Sequence, residues 1–116
     1  MNFFILEDDS HRVKFFINKL GATSCDIYQT AVEAINALIK TKYDVIFLDN
    51  DLGINAGEGV DVANFLATND HKNNSTCVVV HSWNTPAAML ISSLLPRAYL
   101  FPYNSKNFIK FVENLT

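Results

Sequence analysis

Three short stretches of this sequence carry groups able to do chemistry, and each follows an apolar run. Glu7, Asp8 and Asp9 come directly after Phe3-Phe4-Ile5-Leu6, and Asp49 and Asp51, separated by Asn50, follow the run at 44–48. His81, Ser82, Trp83 and Asn84 follow the run at 77–80. Taken singly, each has an ordinary explanation. A run of acids is commonly a solvated corner, and Asp-Asn-Asp is a good turn sequence. A histidine that ends a strand is often a hydrogen-bonded core residue, and a serine can cap a turn. Taken together they fit one chemistry. If the first two stretches share a rim, at least four of their five carboxylates converge there. Like charges repel, and one carboxyl stays protonated unless a cation is present. A hard divalent ion resolves that repulsion. Mg²⁺ takes oxygen ligands, keeps several waters and prefers one or two carboxylates plus a phosphate, so such a rim can receive a phosphate despite its own charge.

The elements between these stretches decide whether they meet. Apolar periodicity switches back and forth along the whole chain. Strands are predicted at 3–6, 25–28, 44–48, 77–80 and 98–101. Between them lie helical patterns. Val13, Phe16, Ile17 and Leu20 share one face, with Ser10 as N-cap and Gly21 as stop. Thr30 to Glu33 reads as a capping box ahead of Ala34, Ile35, Leu38 and Ile39. A glycine-rich loop precedes a helix over 60–68, a polar surface loop spans 69–76, and Asn84 or Thr85 caps a helix carrying Met89, Leu90, Leu94 and Leu95. Asn104 or Ser105 caps the last helix, with Phe108, Ile109, Val112 and Leu115 on one face. Strict βα alternation with short links implies a parallel sheet, right-handed crossovers and helices on both faces. Ligands in such sheets sit outside the carboxyl ends of the strands, where strand order reverses. All three stretches lie at those ends.

Composition sets the limits. At 116 residues, 49% of them apolar, the chain is one domain (1–116) able to bury a core. With 9 Lys+Arg against 12 Asp+Glu it lacks the basic surface that binding DNA by itself would need. No apolar run approaches the roughly 20 residues of a membrane helix. The acidic start is not a signal peptide, so a cytoplasmic protein is expected. Cys25 and Cys77 have no metal-ligand spacing. On strands separated by two others they would lie about 14 Å apart, too far to bridge, and read as small buried hydrophobes.

At this point the sequence resembles, over essentially its whole length, the receiver domain of bacterial response regulators. The likeness is carried by Ile5-Leu6-Glu7-Asp8-Asp9, Tyr43-Asp44-Val45-Ile46-Phe47-Leu48-Asp49, the loop into Gly59-Val60-Asp61-Val62, and Val79-Val80-His81-Ser82. It implies a flavodoxin-like (βα)₅ three-layer sandwich with strand order 2-1-3-4-5. It also implies Mg²⁺ held by Glu7, Asp8 and Asp49, with Asp49 as phospho-acceptor and Ser82 as the hydroxyl that bonds the phosphoryl group. Asp51 falls where the family offers a backbone carbonyl to the metal.

The sequence departs from that pattern in three places. The family places a lysine directly before a proline after strand five, and here Phe101 precedes Pro102. Arg97 and Lys106 are close in sequence, but nothing places either in the pocket. Asp49-Asn50-Asp51-Leu52-Gly53 and His81-Ser82-Trp83-Asn84 are similar to a divergent branch, the cyclic-phosphate-processing receiver-like family, whose suggested role is handling cyclic phosphates enzymatically.

On that reading Asp49, Asp51, His81 and Ser82 form the catalytic set, and Ser82, Trp83 and Asn84 contact a phosphate-containing small molecule or nucleotide. Asp49 attacks phosphorus or holds the metal, and Asp51 acts as general acid or base, by analogy with Asp-x-Asp phosphatases. His81 either protonates a leaving oxygen or activates water, or else lies buried and turned from the rim. Trp83 either stacks on a nucleobase or, as large aromatics mostly do, covers the core or a partner surface. Two other functions are carried along: a single-domain response regulator phosphorylated on Asp49 by a histidine kinase, and a pseudo-receiver that only binds a protein partner.

Overall fold

The computed structural model describes all 116 residues. The strands are β1 (Phe3–Leu6), β2 (Cys25–Tyr28), β3 (Val45–Leu48), β4 (Cys77–Val80) and β5 (Tyr99–Leu100). The helices are α1 (Ser10–Leu20), α2 (Ala31–Lys40), α3 (Gly59–Leu66), α4 (Thr85–Leu94) and α5 (Lys106–Asn114). All strands are parallel, in the order β2-β1-β3-β4-β5, the flavodoxin-like arrangement that the alternation and the family resemblance imply.

The three central strands are apolar throughout because both of their faces are covered. Phe3, Ile5, Val45, Phe47 and Val79 turn to one side and pack with Phe16, Phe108 and Val112 of α1 and α5. Phe4, Leu6, Ile46, Leu48, Val78 and Val80 turn to the other and pack with Leu38, Val62, Leu66 and Ile91 of α2, α3 and α4.

Several local expectations are corrected. Asp9, not Ser10, caps α1, its Oδ1 accepting from the His11 and Arg12 amides at 2.9 and 3.1 Å. A carboxylate is a stronger acceptor there than a hydroxyl. β5 is two exposed residues rather than four, an edge strand closed off by Pro102. Met89 and Leu90 of α4 face outward, while Ala88, Ile91 and Leu95 meet the core. The 69–76 loop is not only surface. Asn73 is buried, accepting from the Tyr43 amide and donating to the Leu38 and Thr41 carbonyls, so it ties the loop to the entry of β3. Cys25 and Cys77 are free, on β2 and β4, but half-buried rather than enclosed. No helix is long and apolar enough to cross a membrane.

Candidate functional site

Strand register builds the site. Leu6 pairs with Leu48, and Leu48 with Val80, so the next residues, Glu7, Asp49 and His81, emerge level on three adjacent strands. The ladder continues through them, with Asp49 N–H donating to Leu6 O and His81 N–H to Leu48 O. Residue parity puts all three on the α1/α5 side of the sheet. One ligand atom from each lies within 4.8 Å of the others.

Glu7 is fully buried, and its oxygens are engaged. Oε1 accepts from His81 Nε2 at 2.8 Å, and Oε2 accepts from the Asp8 and Asp9 amides, each at 3.1 Å. Burial by itself would raise its carboxyl, but the His81 hydrogen bond and charge, the Asp9 amide and Arg12 outweigh it and hold the group below its ordinary 4.5.

Of the two sequence readings of His81, the geometry gives the inward one. The imidazole has no exposed surface and sits among Phe16, Phe47 and Phe108, at centroid distances of 5.3, 6.5 and 6.1 Å. Its Nε2 is committed to Glu7, and its Nδ1 is the only buried side-chain polar atom with no partner. This is the buried alternative for His81, with the ring in the same cluster as Glu7 and Asp49. His81 orients Glu7 through that hydrogen bond and is not among the residues that line the cleft.

That cleft, about 210 Å³, is lined by Glu7, Asp8, Asp9, Arg12, Asp49, Asp51, Ser82, Trp83 and Asn84. That volume is smaller than the roughly 300–1,000 Å³ of pockets that enclose a drug-sized ligand. The surface has a larger hollow beside Ile39, Phe65 and the 69–74 loop, but His71 there has both ring nitrogens engaged, by Leu66 O and the Asn73 amide.

Within the cleft, Asp49 accepts from the Asn50 amide at 2.9 Å. Burial and the neighbouring Glu7 charge push its carboxyl up to about 6, against the lowering influence of His81, the Asn50 amide and Arg12. Asp8 is raised for the same two leading reasons. Asp51 is exposed, and the Asn84 amide reaches both of its oxygens at 3.3 and 3.4 Å, with Asn50 Nδ2 at 3.2 Å. Asn84 also caps α4 through Oδ1, so the helix start fixes the residue that holds Asp51. Ser82 Oγ accepts from the Asn84 amide at 3.0 Å, which leaves its hydroxyl proton to donate into the cleft.

Gly59 closes the site from below. Its N–H donates to Asn50 O at 3.0 Å, and a Cβ there would run into the Asp49 carbonyl oxygen.

Two further residues shape the rim of the cleft. Trp83 is 66% exposed on the rim and does not cover the core, with Nε1 donating to Tyr103 O at 2.8 Å. Arg12, which carries no signal in the sequence, brings a guanidinium into the cleft, with Cζ 4.7 Å from the Tyr103 ring centroid and 5.7 Å from that of Trp83. Phe101, in the position of the missing lysine, packs on Phe111 at 5.8 Å. Arg97 donates to Thr76 O and Asn73 O, at the opposite end of β4 from the cleft.

The donor set fits a hard divalent cation. The free donors are carboxylate oxygens of Asp8 and Asp49, both pushed toward protonation when no cation offsets their charge, with the Glu7 charge behind them. Asp9 contributes charge at the edge, but its Oδ1 is taken by the α1 cap.

The sequence pattern of the cyclic-phosphate processing receiver domain matches residues 3–97. The chain belongs to that family. No curated protein matches it. Among solved structures it is similar to the phosphorylated cyanobacterial phytochrome response regulator RcpA (18% identity, 98% of this chain and 89% of that one, TM-score 0.74). It is also similar to the response regulatory domain of mrkE from Klebsiella pneumoniae (21%, 99% and 94%, 0.72). The Mn²⁺-bound form of response regulator Rcp1 is a third (20%, 97% and 89%, 0.69). At these identities the likeness fixes the receiver fold.

Proposed function

We propose that this single receiver-fold domain processes a cyclic phosphate ester in the cleft at the ends of β1, β3 and β4, with Mg²⁺ as cofactor. Membership of the cyclic-phosphate processing family carries this reading, and the Asp51–Asn84 contact beside Asp49 gives it a chemical form. Asp8 and Asp49 would hold Mg²⁺, with Glu7 behind them. The ion would supply charge neutralisation for the phosphate oxygens. That a related fold is named as Mn²⁺-bound supports a divalent ion here.

The chain's own groups divide the remaining work. The Ser82 hydroxyl donates to a phosphate oxygen, and the Asn84 amide holds Asp51 facing the reacting centre. Water adds across one P–O bond of the ring. Its oxygen ends on phosphorus, one of its protons passes to the Asp51 carboxylate, and the departing ring oxygen leaves as a hydroxyl carrying that proton. The product is an open phosphomonoester. Because the cleft is smaller than a pocket that encloses a drug-sized ligand, the rest of a nucleotide would lie outside it, and the exposed Trp83 ring offers a stacking surface.

Incubation with Mg²⁺ and a panel of 2′,3′- and 3′,5′-cyclic nucleotides tests this. Turnover of at least one, lost in Asp51→Asn, is expected.

A second reading is favoured by the placement of Asp49 and Ser82, and by a phosphorylated response regulator among the similar folds. Asp49 would accept a phosphoryl group from a histidine kinase or a small phosphodonor. Acetyl phosphate with Mg²⁺ should then add one phosphoryl mass to the parent chain and none to Asp49→Asn.

A further inference from the structure

We propose that Arg12 is the phosphate-directed cation of this cleft, supplying from α1 the charge that the receiver pattern places on a lysine after β5, with Trp83 and Tyr103 holding its guanidinium in place. This rests on the reading of the cleft as a phosphate site. It does not depend on whether the ester is cyclic.

Helix stability does not account for this residue. Arg12 sits in the first turn of α1, where the positive end of the helix dipole disfavours a cation, and the only acid at that end, the N-cap Asp9, already has Oδ1 taken by the His11 and Arg12 amides. A residue that breaks a local rule in this way is expected at a functional site.

The ion pair of Arg12 with Glu7 is long and uses no hydrogen bond, so it accounts for only part of the placement. Its nearest carboxylate contact, Nη1 to Glu7 Oε1, is 3.8 Å, and no hydrogen bond engages its side-chain N–H groups. Arg97 is the contrast: two of its N–H groups go to backbone carbonyls at 3.1 and 3.0 Å, a structural use of the same side chain. Arg12 thus keeps its five donors available in a partly buried cleft.

The aromatic rings explain how an unbonded guanidinium stays in place. The cation lies over Tyr103 and Trp83, and the indole is itself pinned by its hydrogen bond to Tyr103 O. A planar guanidinium stacked on rings keeps its in-plane N–H groups free, and that fork matches phosphate oxygens. This also gives Trp83 a reason to be exposed at the rim. The guanidinium stands in the same cleft as Asp49 and Ser82. An arriving phosphate would otherwise meet five acids with only a bound cation to offset them.

The test separates metal from oxyanion. Mg²⁺ alone is titrated by the fluorescence of Trp83, the only tryptophan in the chain. Beryllium fluoride, a phosphoryl mimic, is then titrated by calorimetry in excess Mg²⁺. Arg12→Gln should weaken beryllium fluoride about tenfold or more, the scale of one charge-assisted hydrogen bond, while Mg²⁺ affinity holds or tightens as a like charge is removed. Arg12→Lys should recover part of that loss.

The proposal is overturned if beryllium fluoride binds Arg12→Gln within about twofold of the parent, well under the contribution of such a bond. Equal loss of both ligands in both variants overturns it too, because that is a packing role. So does a parent that binds no beryllium fluoride with Mg²⁺. Absence of cyclic-phosphate turnover with Arg12-dependent binding intact supports it and removes only the ester-processing reading.

Discussion

Replacing Asp49 by Asn should stabilise the metal-free protein, and the size of the effect follows from the crowding around it. Its carboxyl is pushed from 3.8 up to about 6 by burial and by Glu7, and its surface is 6% exposed. A carboxyl raised in the folded state costs stability as pH rises from its unfolded to its folded value, and the cost is complete above the latter. A rise of that size corresponds to about 3 kcal/mol at about pH 7.5 and roughly 1 kcal/mol at about pH 4.5. Asn keeps the acceptor for the Asn50 amide, but its own polar group is also desolvated, so a net gain of about 2 kcal/mol is expected at the higher pH. For a chain of this length that is roughly 8 °C in melting temperature. Melts of parent and variant in chelator, at both pH values, measure it. Adding Mg²⁺ at about a hundred times its dissociation constant should return about 2.7 kcal/mol to the parent and little to the variant, inverting their order. A variant no more stable than the parent in chelator, or a difference that does not shrink at the lower pH, would refute the charge-crowding reasoning.

Other outcomes follow from the same contacts. His81→Ala leaves the Glu7 carboxylate buried without its main partner and should cost about 3 kcal/mol in urea unfolding. Glu7 in the parent contributes stability that is present above its ordinary 4.5 and is lost as pH falls through its lowered value. In His81→Ala burial dominates, the sign reverses, and the penalty grows as pH rises. Gly59→Ala drives a methyl into the Asp49 carbonyl and should cost about 2 kcal/mol while weakening Mg²⁺ binding, read by melting with and without the ion.

Much of the fold is legible because its signals are local and repeated. Apolar runs of strand length between helical periodicities imply a parallel sheet, and the acids after β1 and β3 mark its functional edge. The site is legible only where residues follow strands directly. His81 is ambiguous in the sequence because alternation says that residues 80 and 82 oppose it, but not which side is the pocket. The parity it shares with Glu7 and Asp49 becomes usable only once the pairing register is known. Arg12 escapes a reading of strand ends and of the cations near Pro102. It reaches the cleft from the first helical turn, and its tie is to aromatic rings on the loops after β4 and β5, far away in sequence. Trp83 resembles core material because large aromatics usually bury their area. Its exposure follows from its bond to Tyr103 O and its contact with Arg12, neither visible in its own sequence neighbourhood. Asn73 is hidden in a polar loop for a similar reason, since its three backbone partners lie thirty or more positions away.

The most direct test is phosphorus NMR of 2′,3′- and 3′,5′-cyclic nucleotides incubated with the protein and Mg²⁺. At least one cyclic resonance should convert to a phosphomonoester, about a hundredfold more slowly in Asp51→Asn, the usual scale of general acid–base catalysis. If every cyclic resonance persists in a protein whose melting temperature Mg²⁺ raises, the cleft binds its cation but does not process cyclic phosphates.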